Sequence, residues 1–281
     1  MPDKHAVETQ TGSTDPSRWA LVTGASAGLG EEFCRQLAAM GYHLVLVARR
    51  ADRLHTLAST LRENFGTASL VLPADLADPR APEHITQRLH HEKIVIEFLV
   101  NNAGYGVPGR FTDPDWAAHR DFIQVMMTSV CELTWLLLPG MQARRRGYVI
   151  NVASVAGLVP GSEGHTLYGA SKSFLIRFSE SLALENRHWG VNVSALCPGF
   201  TYTEFHDVIG TREMVNRLPG YMWLSAEEVI RYGLASVLRN PPRTIAIPGR
   251  FYRILVRLNR YLPGFGTLTV KRMSNRFRKL E

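Results

Sequence analysis

Short runs of apolar and β-branched residues recur along the chain, and stretches with helical spacing of apolar residues lie between them. Most of the runs are continuously apolar, as expected of strands that are covered on both faces. In the first intervening stretch, Phe33, Leu37 and Met40 recur on one face of a predicted helix. The pattern predicts seven strands, at residues 19–23, 43–48, 69–73, 96–101, 148–153, 191–197 and 244–248.

Strands that alternate with helices are typical of repeated βαβ units, whose strands lie parallel in a doubly wound sheet. We therefore expect an α/β protein of the Rossmann type with a seven-stranded parallel sheet. No internal repeat or low-complexity linker divides the chain, so one domain is expected over residues 18–250. Residues 1–17 are polar and are expected to form a loose tail. Residues 251–281 are expected to form a basic helical extension.

The composition is that of an ordinary globular protein, because 45% of the 281 residues are hydrophobic and 20% are charged. No stretch of about 18 uninterrupted apolar residues occurs, and we expect no membrane-spanning segment. Cys34, Cys131 and Cys197 lie far apart in apolar surroundings, which favours reduced thiols in a cytoplasmic protein. The histidines show no metal-ligand spacing, so no metal site is expected.

The net charge of +7 is concentrated near the C-terminus. Residues 243–281 hold ten Lys or Arg and one acid, Glu281, whereas the rest of the chain holds 22 basic and 24 acidic residues. The basic surplus therefore belongs to the extension rather than to the body of the protein. Nucleic-acid binding is disfavoured, because the charge is local and no known binding module accompanies it.

The segment 250–262 combines apolar residues at helical spacing with a separate stripe of arginines. Such a helix can lie on an anionic membrane surface, dock on its own domain or contact another subunit, and the three interpretations stay open. The apolar positions are Phe251, Ile254, Leu255 and Leu258, and the stripe is Arg250, Arg253, Arg257 and Arg260.

A glycine-rich turn, "TGASAGLG" at residues 23–30, follows the first strand and opens the first helix. Glycines let the backbone turn tightly and admit a ligand, and the helix N-terminus attracts a pyrophosphate. Glycines alone are weak support, since tight βα turns also need them, but the strand–turn–helix position favours dinucleotide binding. The expected contact residues are Gly24, Ser26, Ala27, Gly28, Leu29 and Gly30.

Two cations stand at the end of the second strand, where a protein that binds NAD usually has an acid. Arg49 and Arg50 favour the additional phosphate of NADP(H), although two solvated arginines on a loop are the simpler alternative. After the third strand, Asp75 either accepts a hydrogen bond from the adenine amino group or caps the next helix.

Tyr168 and Lys172 are four residues apart and lie one turn apart on a predicted helix. A nearby ammonium lowers the pKa of a phenol, which can then exchange a proton with a carbonyl oxygen. The pair alone occurs by chance on many helices. Ser154 strengthens the interpretation, because it follows a strand at the edge where parallel sheets place their ligands.

The order and context of these motifs resemble the short-chain dehydrogenase/reductase family, over roughly residues 18–250. The motifs are "TGASAGLG" (23–30), "NNAG" (101–104), Ser154, "YGASK" (168–172) and "CPGFTYTEF" (197–205). The resemblance is to the branch of NADP(H) reductases that act on ketones or lipids. It implies a three-layer α/β/α architecture and hydride transfer between nicotinamide and a carbonyl or alcohol carbon. Dimers or tetramers are common in the family, so a homo-oligomer is expected.

The resemblance also implies roles for individual residues. Tyr168 would transfer the proton, Lys172 would lower its pKa and hold the nicotinamide ribose, and Ser154 would polarise the carbonyl group. Further cofactor contacts are expected from Asp75, Leu76, Asn101, Asn102, Ala103, Gly104, Pro198, Gly199, Thr201 and Thr203.

One position departs from the family pattern. The family commonly has an Asn that supports a proton relay from the Lys, and the corresponding residue here is Met126. A thioether cannot donate a hydrogen bond and accepts only weakly. We expect an active NADP(H)-dependent oxidoreductase with a hydrophobic ketone or secondary alcohol as substrate, keto-lipid or steroid-like. The alternative is a regulatory or scaffold protein that binds NADP(H) with impaired catalysis.

The segment 205–223 follows the residues that flank the nicotinamide, and it is rich in apolar side chains. In this fold such a segment covers the substrate, and an apolar lid suits a hydrophobic molecule. Equally, its side chains can simply pack a helical pair onto the core. The expected substrate pocket comprises Leu158, Phe200, Phe205, Ile209 and Trp223.

Overall fold

The computed structural model describes residues 18–107, 109–161, 163–164, 166–204, 218–262 and 264. Seven parallel strands form one sheet in the order β3-β2-β1-β4-β5-β6-β7, which confirms the predicted fold class. The strands are β1 (Trp19–Thr23), β2 (His43–Ala48), β3 (Ser69–Pro73), β4 (Ile96–Asn101), β5 (Gly147–Val152), β6 (Val191–Leu196) and β7 (Ile245–Ala246). Strand β7 is shorter than predicted, because it lies at the edge and pairs only with β6 over two residues.

Seven of the helices among the described residues lie between these strands in the chain, and the eighth follows β7. Helix α4 continues through one π-helical turn, Gln124–Thr128, into α5. The helices are α1 (Gly28–Ala39), α2 (Ala51–Phe65), α3 (Ala81–His91), α4 (Trp116–Ile123), α5 (Ser129–Ala143), α6 (Thr166–Asn186), α7 (Ala226–Leu238) and α8 (Arg250–Tyr261).

Two hydrophobic layers enclose the sheet. On one face, α1, α2 and α7 contribute residues such as Phe33, Leu54 and Val229, all of them fully buried. On the other face, α3, α5 and α6 contribute residues such as Leu89 and Leu133. Burial on both faces explains why the strands are continuously apolar.

The strand order reverses beside β1, which pairs with β2 on one side and with β4 on the other. In open parallel sheets, ligands bind at the carboxyl edge next to such a reversal. The segments that follow β1, β4, β5 and β6 all start from this edge. The fold therefore brings the glycine turn, the "NNAG" segment, Ser154 and Pro198 to one side of the sheet.

The continuous helical stretch Trp116–Ala143 has the length and mean hydropathy of a membrane-spanning helix, and 39% of its most apolar window is buried within the fold. Its sequence contains no uninterrupted apolar run of that length, because polar residues are scattered along the helix. Core helices pass the same test of length and composition, and Val130, Leu133 and Met141 of this stretch belong to the buried core. All three cysteines are free. Within the described residues, no group of side chains is arranged to hold a metal ion.

Candidate active site

The glycine turn between β1 and α1 leaves no room for a side chain at Gly30. Gly24 and Gly28 have φ values of +67° and +57°, a region that glycine adopts without strain. A Cβ atom on Gly30 would lie 2.1 Å from the carbonyl oxygen of Gly24. The chain therefore passes close to itself at this point, and the N-terminus of α1 faces the open carboxyl edge.

Asn102 holds the turn in place from the end of β4. Its side-chain amide donates to the carbonyl oxygens of Thr23 and Gly24, at 2.9 and 3.3 Å. The backbone N–H groups of Asn102 and Ala103 both donate to the hydroxyl of Thr23, at 3.0 Å. The "NNAG" segment thus fixes the turn through backbone and side-chain hydrogen bonds.

The first turn of α1 keeps its N–H groups available. Ala27, at the N-cap, is extended and provides no side-chain cap, so the first N–H groups can serve an anionic ligand. Leu29 packs against the buried core and anchors the start of the helix. Ser26 lies in the turn itself, and its hydroxyl accepts from the guanidinium of Arg50 at 3.2 Å.

The cations at the end of β2 are exposed, and one carboxylate bridges two of them. The guanidinium of Arg50 lies 3.7 Å from the carboxylate of Glu204, and that of Arg53 lies 2.9 Å from it. Arg53 and Glu204 are not among the predicted site residues. Arg53 was visible as a neighbour of Arg50 on the next helical turn, whereas Glu204 lies too far along the chain to be connected with it.

The two predicted contacts after β3 have local partners. The carboxylate of Asp75 accepts from the backbone N–H of Ala77 at 3.0 Å, so it stabilises a turn ahead of α3. Leu76 is 6% exposed, and its carbonyl accepts from the hydroxyl of Ser129. The predicted cap of the next helix is wrong, because the N-cap of α3 is Arg80 and no side chain caps it. The contact with the adenine amino group stays a prediction.

Ser154, Tyr168 and Lys172 meet at the carboxyl end of β5. Ser154 directly follows the strand region, and Tyr168 and Lys172 lie one turn apart on α6. The side chains of Ser154 and Tyr168 are hydrogen-bonded. Lys172 is 5% exposed, its Nζ donates to the carbonyl of Val152 at 2.7 Å, and it lies 5.6 Å from the ring centroid of Tyr168. The three predicted catalytic residues therefore form one cluster.

Burial is the largest cause of the pKa shifts of Tyr168 and Lys172. Desolvation raises the pKa of Tyr168 to about 12, with the hydrogen bond to Ser154 acting in the opposite direction. Desolvation lowers the pKa of Lys172 to about 8. No lowering of the Tyr168 pKa by Lys172 accompanies this geometry, in which Nζ donates to the carbonyl of Val152. At neutral pH the phenol is protonated, which is the form that can donate a proton.

The lowered pKa of Lys172 predicts a pH-dependent stability. Between about pH 8 and pH 10.5 the unfolded chain binds this proton and the folded chain does not, so stability rises with pH. We expect the free energy of unfolding of the wild type to rise, relative to Lys172→Met, by roughly 3 kcal/mol across that window. Urea unfolding at both ends of the window measures the difference. Lys93→Met, at an exposed lysine, is the control. The free energy of unfolding of Lys172→Met should differ from that of the wild type in its pH dependence, and parallel pH curves for these two proteins would contradict the lowered pKa of Lys172.

Asn101 points into the protein interior. It is 3% exposed, and its side-chain amide donates to Thr134 at 3.2 Å and to Asn151 at 2.8 Å. Asn151 in turn donates to Ser179 at 2.9 Å. This buried network connects β4 and β5 with α5 and α6. The geometry therefore gives the Asn101 side chain a structural role in place of the cofactor contact expected from the sequence.

The segment after β6 is held by the C-terminal helix. A Cβ atom on Gly199 would lie 2.0 Å from the ring of Tyr252, so the ring of this buried tyrosine covers the backbone there. The hydroxyl of Tyr252 accepts from the N–H of Phe200 at 3.0 Å and donates to the carbonyl of Met222. Tyr252 was missed in the sequence because nothing local connects it with residue 200.

Pro198, Thr201 and Thr203, which are also expected near the nicotinamide, contact the segments around Ser154 and the glycine turn. The carbonyl of Pro198 accepts from the N–H of Val155 at 3.0 Å, beside Ser154. Thr201 is 5% exposed, and its hydroxyl donates to the carbonyl of Gly199. A Cβ atom added to Gly28 would lie 3.2 Å from the side chain of Thr203. The segment after β6 thus runs across the glycine turn.

A small cavity beside Tyr168 has both apolar and polar walls. It measures about 20 Å³, and Phe111, His119, Phe122 and Leu167 line it together with Tyr168. Nε2 of His119 lies 2.7 Å from the carbonyl of Phe111 and must donate to it. Nδ1 is buried without a partner among the described residues. His119 was not singled out in the sequence, where its only signal is a histidine among apolar neighbours.

The predicted substrate pocket is described only in part. Phe205 and Ile209, with most of the predicted lid, lie outside the described residues. Leu158 is half-buried against the core. The rings of Phe200 and Trp223 lie 6.0 Å apart, and Tyr202 stacks on Trp223 at 4.5 Å. An aromatic cluster thus adjoins the segment that follows β6.

Met126 lies within the π-helical turn between α4 and α5. It is 1% exposed, and a Cβ atom on Gly104 would lie 3.0 Å from its sulfur. The thioether therefore packs on the "NNAG" segment, at the position where the family commonly has an Asn. π-helical turns occur frequently at functional sites.

Comparison with known proteins decides the family. Residues 18–213 match the short chain dehydrogenase family. The chain belongs to this family. A solved structure of a short-chain dehydrogenase from Sphingobium yanoikuyae in complex with NADPH is 30% identical in sequence, with a TM-score of 0.77 over 90% of this chain and 94% of that chain.

Two curated relatives are named as a reductase and a dehydrogenase. The very-long-chain 3-oxoacyl-CoA reductase of Anas platyrhynchos is 35% identical over 196 residues, 68% of this chain and 62% of that protein. The 17-beta-hydroxysteroid dehydrogenase type 3 of Mus musculus is 33% identical over 184 residues, 64% of this chain and 59% of that protein. The chain thus matches less than two thirds of the length of each relative. The family is that of oxidoreductases with nicotinamide cofactors.

Proposed function

We propose that this short-chain dehydrogenase transfers hydride between NADP(H) and a hydrophobic ketone or secondary alcohol. The observation that carries the proposal is the hydrogen bond between Ser154 and Tyr168, one helical turn from the buried Lys172. A protonated phenol and a hydroxyl group thus lie together at the carboxyl edge of the sheet, near the buried ammonium of Lys172. A carbonyl oxygen at that point can be polarised and protonated.

The residues around the glycine turn fit a dinucleotide with an additional phosphate. The tight passage at Gly30 and the uncapped N-terminus of α1 suit a pyrophosphate. The exposed guanidinium groups of Arg49 and Arg50 suit the 2′-phosphate of NADP(H). When bound, this cofactor supplies or accepts the hydride at C4 of its nicotinamide. The NADPH complex of the related Sphingobium yanoikuyae enzyme supports this choice.

The side chains of the cluster have separate tasks in reduction. The phenol of Tyr168 donates its proton to the carbonyl oxygen, and in oxidation it takes the proton back. The hydroxyl of Ser154 donates a hydrogen bond to the same oxygen and orients the substrate. Lys172 is held by the carbonyl of Val152, and its ammonium can donate hydrogen bonds to the ribose of the nicotinamide nucleotide.

The surroundings of Tyr168 favour an apolar substrate. Phe111, Phe122 and Leu167 line the cavity next to it, and Phe200 and Trp223 form an aromatic wall. The aromatic and aliphatic side chains on this side of Tyr168 suit the hydrophobic part of a ligand. Relatives named for long-chain oxoacyl and steroid compounds support a keto-lipid or steroid-like substrate.

NADPH consumption by the purified full chain tests this function. A panel of ketones graded in hydrophobicity, with a blank that contains no substrate, is followed at the nicotinamide absorbance. We expect consumption that increases with hydrophobicity. Consumption that is absent for every ketone, while NADPH still binds, would contradict the proposed function.

Replacement of Arg50 should weaken NADPH binding selectively. A charge-assisted hydrogen bond contributes about 1.5–3 kcal/mol, so Arg50→Ala should weaken NADPH binding by roughly 10- to 100-fold. NADH lacks the phosphate, and its affinity should stay nearly constant. Fluorescence titration with both cofactors measures the ratio. Arg88→Ala, at an exposed arginine on α3, is the matched control, and an unchanged ratio for Arg50→Ala would refute the phosphate contact.

A second candidate function is an NADP(H)-binding regulatory or scaffold protein, and the buried Met126 favours it. In our account the wild type is already active, and Met126→Asn should change kcat by less than about tenfold. General acid–base catalysis contributes about 10²–10⁴-fold. A rise in kcat of about 100-fold or more from a nearly inactive wild type would therefore show a damaged relay and favour the second function. Steady-state kinetics of the two proteins decides between them.

A further inference from the structure

Helix α8 presents three different sides. One side docks on the domain through Tyr252 and Asn259, which are 3% and 9% exposed. A second side, here called the arginine side, consists of Arg250, Arg253, Arg257 and Arg260. A third side, here called the apolar flank, consists of Phe251, Ile254, Leu258 and Leu262. Neighbouring members of the arginine side and of the apolar flank are three or four positions apart, and Tyr252 and Asn259 are seven positions apart. At these spacings each set lies along one side of the helix.

The apolar flank is open to solvent in the described part of the chain. Ile254 is 58% exposed, Leu258 is 38% exposed and Leu262 is 53% exposed. Tyr221 extends the flank, since it is 68% exposed and its ring contacts that of Phe251 at 5.3 Å. A contiguous row of exposed apolar side chains marks an interaction surface.

The arginine side carries positive charge that the adjacent sequence does not neutralise. No Asp or Glu occurs between Arg243 and Gly264. Arg253 lies over the ring of Tyr232, with 5.7 Å between its guanidinium carbon and the ring centroid. Arg257 and Arg260 are exposed. A partner of this surface must therefore combine an apolar interior with negative charge at its border.

Three occupants of the apolar flank can be compared by charge. The remaining tail, residues 265–281, has five Lys or Arg and one acid, so it would bring positive charge next to the arginine side. A second copy of α8 would do the same. The surface of an anionic bilayer has headgroups of opposite charge above an apolar interior, and it matches both sides of the helix.

We propose that α8 binds the surface of an anionic lipid bilayer, with the apolar flank inserted among the lipids. The arginines then lie at headgroup level, where long cationic side chains are favourable. The helix is connected to the site through Tyr252, which contacts Phe200 and covers Gly199. Bound in this way, the helix would bring the segment after β6 close to the lipid phase, from which a hydrophobic substrate can enter.

Co-sedimentation of the full chain with lipid vesicles tests the proposal. We expect clear binding to vesicles of phosphatidylcholine with phosphatidylserine, little binding to phosphatidylcholine alone, and weaker binding at high salt. Each arginine near an anionic surface is worth about a fivefold change in affinity. Arg257→Gln with Arg260→Gln should therefore lower binding by about 30-fold. Ile254→Ser should lower it as well.

Matched substitutions on α6 provide the control. Arg177→Gln and Leu184→Ser replace an arginine and an aliphatic residue at exposed positions of another surface, and vesicle binding should not change. Light scattering after size exclusion reports the oligomeric state of every variant, and NADPH binding reports its fold. Absence of vesicle binding by the wild type, or equal binding to both lipid compositions, would overturn the proposal. So would variants of α8 that alter the oligomeric state and leave vesicle binding unchanged.

Discussion

Tyr168→Phe should lower kcat by about a thousandfold, within the 10²–10⁴-fold range of general acid–base catalysis. The substitution removes only the hydroxyl group, which is hydrogen-bonded to Ser154 and protonated at neutral pH because burial raises its pKa to about 12. Without it, no group of the cluster is placed to protonate the carbonyl oxygen. Affinity for NADPH should be unchanged, because the glycine turn and Lys172 stay in place.

Steady-state rates and cofactor titrations with the same protein preparations measure both quantities. Tyr202→Phe is the matched control, since it removes the hydroxyl of a tyrosine that is 58% exposed and stacked on Trp223. It should retain wild-type turnover. Full activity of Tyr168→Phe would remove the proposed proton donor from the mechanism.

Gly30→Ala should weaken cofactor binding, because the added methyl group clashes with the turn. The added Cβ atom would lie 2.1 Å from the carbonyl oxygen of Gly24 and 2.6 Å from the side-chain nitrogen of Asn102. The carbonyl is part of the backbone, so the turn must open to relieve the clash. Overpacking of this kind costs about 1–3 kcal/mol. We therefore expect NADPH binding to weaken by roughly 10- to 100-fold.

Calorimetric titration with NADPH and a thermal melt of the free protein measure the effect of Gly30→Ala. Gly161→Ala is the matched control, because a Cβ at that position meets no atom within 4 Å. It should bind NADPH like the wild type. Wild-type affinity in Gly30→Ala would show that the turn does not touch the cofactor.

Features that depend on neighbouring residues were predictable from the sequence. The strands appear as continuous apolar runs because both faces of the sheet are covered, as with Leu21 and Val22 of β1. Ser154, Tyr168 and Lys172 were predictable because a strand end and one helical turn determine their places. Even here, the pKa of Tyr168 depends on burial and was not visible in the spacing.

Features that depend on contacts between distant segments were not predictable. The bridge from Arg53 to Glu204 and the covering of Gly199 by Tyr252 each join residues far apart in sequence. Asn101 was expected at the cofactor, but the direction of its side chain is set by Thr134 and Asn151 in the interior. Side-chain direction follows from the packing of the complete fold, which no local pattern contains.

The most direct test of the central claim follows the hydride itself. The full chain is incubated with a hydrophobic ketone and NADPH that carries deuterium at C4 of the nicotinamide, separately on each face. Mass spectrometry of the alcohol is expected to show deuterium on the former carbonyl carbon for one of the two labelled cofactors, and Tyr168→Phe is expected to form this alcohol about a thousandfold more slowly. An alcohol without deuterium from either cofactor, or no alcohol at all, would contradict hydride transfer by this protein.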